Sequence, residues 1–353
     1  MARRISGVVA AALVFGLAAL AHGGMLHVAG NGVDGPSCGI GGPSPCGGKA
    51  NPCRSITCAI RVAAAGDAIV VGPGVYGDLN QNGTLNETGE EGGEAYAPGC
   101  ACVVAVNKPV SITSSDGAAS TIIEARTVNV VQNVLVITEG GEFGKPGKGF
   151  TVTQTQQSTG DGIVIDSTNV KVRGNEVVGR ETALLSAVGI DTVAAPETIL
   201  IEANHVVGWG VGIRAQSTGK TLRANQVATN IHGIEAAAGL VVGNVATQNS
   251  EVGISLSGPV TATGNAAYGN GSEGGFRVLG SFTGTLEKNN IYGNGCGLEN
   301  LGILGLSVAK NFWGAAIRPG PDPADDVCDL DGGTTSAPQP ASKPFKVKAP
   351  IKL

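Results

Sequence analysis

From residue 162 to residue 314 apolar and polar positions recur in one pattern, written seven times. Each copy opens with glycine followed by an apolar residue, runs through an alternating β-branched segment and reaches an asparagine. The glycines fall at 162, 189, 212, 233, 253, 275 and 297, and the asparagines at 175, 204, 225, 244, 265, 289 and 311. A period of roughly 20 to 25 residues belongs to a solenoid, whose copies cannot bury a core alone and must stack. Leucine-rich repeats share the period but need leucines at fixed places; here the consensus is Gly-Ile, Val-x-Val and Asn, which favours strands.

Two columns are expected to point inward, because alternate side chains of a strand share a face and stacking brings equivalent positions into register about 4.8 Å apart. Three residues before the asparagines these are Val172, Ile201, Leu222, Val241, Ala262, Leu286 and Val308. Two after them are Val177, Val206, Val227, Ala246, Ala267, Ile291 and Trp313. Amides both donate and accept, so stacked asparagines can bond to one another up the axis where aspartates would repel. A second column, Asn230, Asn249, Asn270 and Asn294, is expected at a turn where asparagine takes a positive φ.

These repeats resemble the right-handed parallel β-helix repeat proteins of the pectin-lyase-like superfamily. The resemblance implies an all-β, single-stranded right-handed parallel β-helix, three sheets wound into a prism, usually in exported proteins that meet polysaccharide. CRSITCAIRVAAAGDAIVVGPGVY, from Cys53 to Tyr76, is similar to the N-terminal cap of family members. It carries Ile56, Ala59, Ile60 and Ala63 on one helical face, then a strand over Ala68–Val71. Such a short capping helix hides unpaired strand edges at a solenoid end. Cys102 to Ala125 resembles the first full coil, and Asn311, Trp313 and Gly314 the closing motif, with Trp313 covering the last coil.

The divisions follow. Residues 1–21 read as a secretory signal peptide, with Arg3 and Arg4 before an apolar run and Ala19-Leu20-Ala21 as the cleavage site. Residues 22–52 are rich in Gly and Cys, 53–333 form the β-helix with an insert at 77–99, and 334–353 are a Pro- and Lys-containing tail. Removing the leader takes the formal charge from −5 to −7, two arginines fewer, which disfavours a nucleic-acid partner. No other stretch is apolar enough to span a membrane. A secreted or periplasmic monomer is expected. Eight cysteines in an exported chain imply disulfides; Cys296 is expected to pair with Cys328, while the other six leave 15 connectivities open.

The segment from Asp78 raises two readings, a calcium loop and a plain acidic Asn/Gly-rich loop. Asp78, Asn80, Asn82 and Thr84 surround Gly83 as in a D-x-[DN]-x-[DN]-G loop, although position 12 is Gly89 where a bidentate glutamate belongs. Asp322, Asp325, Asp326, Asp329 and Asp331 read as a solvated acidic loop.

Chemistry would sit on outward positions. The residue after each opening apolar position is Val164, Asp191, Arg214, Glu235, Ser255, Arg277 and Glu299. Their alternating signs suit exposed ion pairs. The catalytic alternative takes Asp191 and Glu235 as acid and base around a sugar, with Arg214 holding a uronate and His232 nearby; two coils is about 10 Å, the upper edge of inverting-glycosidase geometry. The family's enzymes carry stricter motifs. Of these the chain has only an isolated His232-Gly233, with no Arg-x-Lys and no Asp-Pro-His-Asp. The periplasmic maturation protein of the nitrous-oxide copper enzyme shares the framework, but four histidines and Met25 as the one methionine of the mature chain argue against copper delivery. Two functions are expected from the sequence: a non-catalytic polysaccharide-binding or cell-surface structural protein, or a divergent uronan lyase or glycoside hydrolase.

Overall fold

The computed structural model describes residues 23–34, 46–77, 90–92, 100–125, 133–154, 160–180, 186–193, 198–315, 319–320 and 325–347. The leader at 1–21 and the calcium candidates Asp78, Asn80, Asn82 and Thr84 lie outside them.

Three long sheets, of ten, ten and nine strands among the described residues, run the length of the molecule, and a two-stranded one closes it. Every pairing between strands is parallel, and each strand bonds to its equivalents one coil before and after, so the chain winds through the sheets in turn. The expected inward columns are in register: Val172, Ile201, Leu222, Val241, Ala262 and Leu286 in one sheet, and Val177, Val206, Val227, Ala246, Ala267 and Ile291 in another. Ile163, Ile190, Ile213, Ile234, Ile254, Phe276 and Leu298 form the third wall, all fully buried. The core is therefore a long thin column of like side chains, each contributing roughly 1.5 to 3 kcal/mol by leaving water.

The asparagines form the ladder. Nδ2 of Asn175, Asn204, Asn225, Asn244, Asn265 and Asn289 each donates to Oδ1 of the next asparagine at 2.9 to 3.1 Å, ending on Asn311. Each of these Oδ1 atoms also accepts the backbone N–H of the asparagine before it. The second Nδ2 hydrogen goes to the carbonyl of a buried core residue, as from Asn244 to Leu222 O at 2.9 Å. All seven are fully buried with their hydrogen bonds made, as buried polar groups require.

The second column differs from expectation. Asn230, Asn249 and Asn270 are buried and form another ladder, which runs through Asn294. The left-handed bend falls one residue earlier, at Thr229, Gln248, Gly269 and Gly293. The amide is more useful inside, bonding up the stack, than at the bend. Asp325 is not a bystander in a solvated loop either. Its carboxylate accepts from Gly293 N at 2.7 Å and from Asn294 N and Nδ2 at 3.2 and 2.8 Å, closing the column. An acceptor-only group suits that place, because no further Oδ1 lies beyond it to be repelled.

At the other end the helix spans Ile56–Val62, with Ser55 as N-cap accepting from Cys58 N. Two buried carboxylates finish the job. Asp34 accepts from Arg54 N, Ser55 N and Ser55 Oγ, and Glu91, from within the insert, accepts from Ile56 N, Thr57 N and Thr57 Oγ1. They satisfy the free N–H groups of the helix start and complement its dipole. Cys46 bonds to Cys53, Cys100 to Cys102 and Cys296 to Cys328, and Cys58 is also disulfide-bonded. Trp313 is fully buried beneath the closing segment. No helix among the described residues is long and apolar enough to cross a membrane.

Candidate functional site: a charged row and an aromatic groove

The sheet that holds Val188–Thr192, Val211–Ala215, His232–Ala236, Val252–Leu256 and Gly274–Val278 sets one outward residue of each strand in a single row. Register places Asp191 beside Arg214, Arg214 beside Glu235, then Ser255, Arg277 and Glu299. The three sequence candidates thus share one row, Asp191 and Glu235 being two strand spacings apart, roughly 9 to 10 Å.

Each is engaged by a neighbour. Arg214 grips the buried Asp191 with both arms, Nε to Oδ1 at 3.1 Å and a terminal nitrogen to Oδ2 at 2.7 Å. That bond is the main reason the Arg214 guanidinium is held above its ordinary pKa. Glu235 meets His232 Nδ1 at 2.7 Å. His232 Nε2 in turn faces Glu251 at 2.9 Å and Glu273 at 3.7 Å. The hydrogen bond to Glu235, more than the opposing burial, raises the imidazole pKa. Arg277 pairs with Glu273 at 2.6 Å and with Glu299. A neighbouring sheet carries an equivalent chain of pairs from Glu142 through Arg173 and Glu202 to Arg223.

Three members of this site were not evident in the sequence. Glu251 and Glu273 both stand two residues before a repeat glycine, an offset that would have flagged them. Asp161 has no repeat partner; burial pushes its carboxyl up to about 6, and its Oδ1 accepts Val188 N at 2.7 Å. Over the row lies an open recess of about 360 Å³ lined by Gln216, His232, Glu235, Ser255, Ser257 and Arg277, and beside it a smaller one of about 220 Å³ over Asp191 and Arg214.

A second concavity, about 600 Å³, lies on another face near the C-terminus. Tyr268 and Tyr292, in register, stack at 5.0 Å with their rings 2° from parallel, and Phe312 meets Tyr292 edge-on at 6.5 Å. Val245, Ala266 and Asn290 also line it, and Pro344, Phe345 and Val347 of the tail complete it. Asn290 holds that tail as a strand partner would, its amide donating to Phe345 O at 2.9 Å and accepting Phe345 N at 2.8 Å.

Residues 144–313 match the family model described as "NosD: Periplasmic copper-binding protein (NosD)". Taken with three parallel sheets wound coil upon coil, this decides the class. The chain is a right-handed parallel β-helix repeat protein. Among solved structures, a variant of the periplasmic alginate epimerase AlgG is similar over 68% of this chain and 78% of that one, at 13% identity and a TM-score of 0.35. No curated protein matches the chain.

The described residues of this β-helix do not offer the soft donor set that copper transfer calls for. The two clusters able to surround an ion are Asp34 with Cys46, Cys53 and Cys58, and His232 with Glu251 and Glu273. In the first every sulfur is locked in a disulfide and Asp34 caps the helix. The second brings one imidazole among carboxylates, harder ligands than cuprous ion prefers.

Proposed function

We propose that this β-helix is an exported, non-catalytic protein of the periplasm or cell exterior that binds polysaccharide or a glycan-bearing cell surface. The reading rests on the aromatic groove. A pyranose ring has an apolar C–H face and a rim of hydroxyls. Tyr268, Tyr292 and Phe312 offer aromatic surface to the first, and the tyrosine hydroxyls and exposed backbone offer hydrogen bonds to the second. The charged row supports the same reading by subtraction, since a general acid or base at Asp191 or Glu235 would have to leave an ion pair before moving a substrate proton. Export is supported by the leader read at residues 1–21 and by the periplasmic family matched over 144–313.

The test is a glycan array run with the mature protein, alongside turnover assays on polygalacturonate and alginate. Binding without turnover, lost at least tenfold in Tyr268→Ala or Tyr292→Ala and retained in Glu235→Gln, is the expected result. Turnover that Glu235→Gln or Asp191→Asn abolishes would instead establish the second reading, a divergent carbohydrate-active enzyme. One observation favours that alternative: Asp161, with its carboxyl raised to about 6, is electrostatically coupled to the Asp191–Arg214 pair.

A further inference from the structure

The bond between Cys100 and Cys102 stands apart from the other disulfides. It closes a ring across one residue, a sequence separation of 2, where Cys46–Cys53 spans 7 and Cys296–Cys328 spans 32. The residue inside that ring, Ala101, has φ 40°, on the left-handed side that a Cβ disfavours. Elsewhere the non-glycine residues with positive φ include Ala203, Ala224 and Lys288, each directly before a ladder asparagine whose amide bonds fix the bend. Ala101 has no ladder asparagine after it; its carbonyl accepts Asn133 N at 2.9 Å and the ring ties its two flanking cysteines together, so opening the ring removes one of the two restraints on its conformation.

Accessibility is unequal across the same bond. Cys100 is half-buried, whereas Cys102 begins the Cys102–Val106 strand and is 1% exposed, packed with Ala105, Val136 and Val164. A nucleophile from solvent therefore reaches the Cys100 sulfur first. By contrast Cys46 and Cys53 are both buried, and Cys296 and Cys328 are held together by the parallel pairing of Leu298–Leu301 with Val327–Leu330. Reduction there leaves two thiols that the sheet keeps side by side, ready to close again.

We propose that Cys100–Cys102 is a thiol-exchange site, which takes up low-molecular-weight thiols at Cys100 while the other disulfides of the β-helix stay closed. The incoming thiolate bonds to Cys100 Sγ, the Cys100–Cys102 bond breaks, and the electron pair leaves on Cys102 Sγ, which takes a proton from water. The products are a mixed disulfide on Cys100 and a neutral thiol on Cys102 in apolar surroundings, so no external oxidant is needed. A second thiolate attacking the mixed disulfide releases the small-molecule disulfide and leaves both cysteines reduced. This inference is independent of any glycan ligand.

The experiment equilibrates the folded mature protein with reduced and oxidised glutathione at graded ratios, quenches with acid, alkylates free thiols and maps each cysteine by peptide mass spectrometry. Cys100 is expected to carry glutathione or alkyl label at a reduced-to-oxidised ratio at least tenfold below that needed to open Cys46–Cys53 or Cys296–Cys328. Opening of all three together, or of Cys100–Cys102 only in denaturant, overturns the proposal. Ala101→Gly, which removes the left-handed penalty, should move the midpoint about fivefold toward the closed disulfide; an unmoved midpoint overturns the backbone cause. Cys102→Ser should gather a glutathione adduct on Cys100, while Cys100→Ser leaves Cys102 unlabelled in the folded state; equal labelling of the two variants overturns the direction of attack.

Discussion

Replacing Asn244 by alanine tests whether the stack of amides holds the coils together. The side chain makes four bonds. Its Oδ1 accepts Asn225 N and Asn225 Nδ2, both at 3.0 Å, and its Nδ2 donates to Asn265 Oδ1 at 3.1 Å and Leu222 O at 2.9 Å. After truncation Asn265 Oδ1 still receives Asn244 N at 2.9 Å, and Asn225 Nδ2 still reaches Ile201 O, so those groups keep one partner each. Asn225 N–H loses its acceptor outright, and so does one Nδ2 hydrogen, both fully buried. At roughly 1 to 3 kcal/mol for each stranded donor, the cost is about 3 kcal/mol, the low end applying if one water enters the space left by the amide. Urea denaturation at 25 °C measures it, followed by far-ultraviolet circular dichroism and by fluorescence of Trp209 and Trp313, the two tryptophans of the chain. Because coils are coupled to their neighbours, both signals should shift together. Asn244→Asp should also destabilise at neutral pH, since its carboxylate would face Asn265 Oδ1 with nothing to donate, and recover in part as it protonates. A loss below about 0.5 kcal/mol in Asn244→Ala would refute the reasoning, because stranded buried donors cannot be that cheap.

Other outcomes follow from the same coordinates. Burial raises the Glu91 carboxyl from about 4.5 to about 7 against the hydrogen bonds from Thr57 and Ile56. A raised acid favours the folded state while protonated, so its contribution is complete below the unfolded value and fades as pH rises through about 7. Melting in Glu91→Gln should lose that dependence, worth up to about 3 kcal/mol, between pH 4.5 and 7; an unchanged slope would show that another group sets it. Asp191→Ala leaves Arg214 without its bidentate partner at a site where the carboxylate is buried and the guanidinium is 27% exposed. A cost of about 2 kcal/mol is expected, below the range for fully buried pairs, and Arg214→Met in the same background should restore part of it. Asn290→Ala removes both bonds that hold Phe345. Proteolysis should then cut near Lys343 or Lys346 at least tenfold faster, with the melting temperature of the β-helix changed by no more than a few degrees.

The β-helix was legible in the residues alone, because a repeat in register sets every equivalent side chain at the same height and azimuth. A column of Val and Ile can then only be core, and a column of Asn can only bond along itself. The same logic put Asp191, Arg214 and Glu235 in one row. What it could not determine is what reaches across from outside the repeat. Glu91 reaches out of the insert to finish the helix cap, Asp325 ends the second ladder from 31 residues past Asn294, and Phe345 arrives from the tail to complete the aromatic groove. Glu251 and Glu273 converge on His232 because long side chains can lean along the stack, Glu251 from one coil on and Glu273 from two. Periodicity specifies which residues are neighbours along the stack; contacts made by segments without a period depend on where folding brings those segments in space.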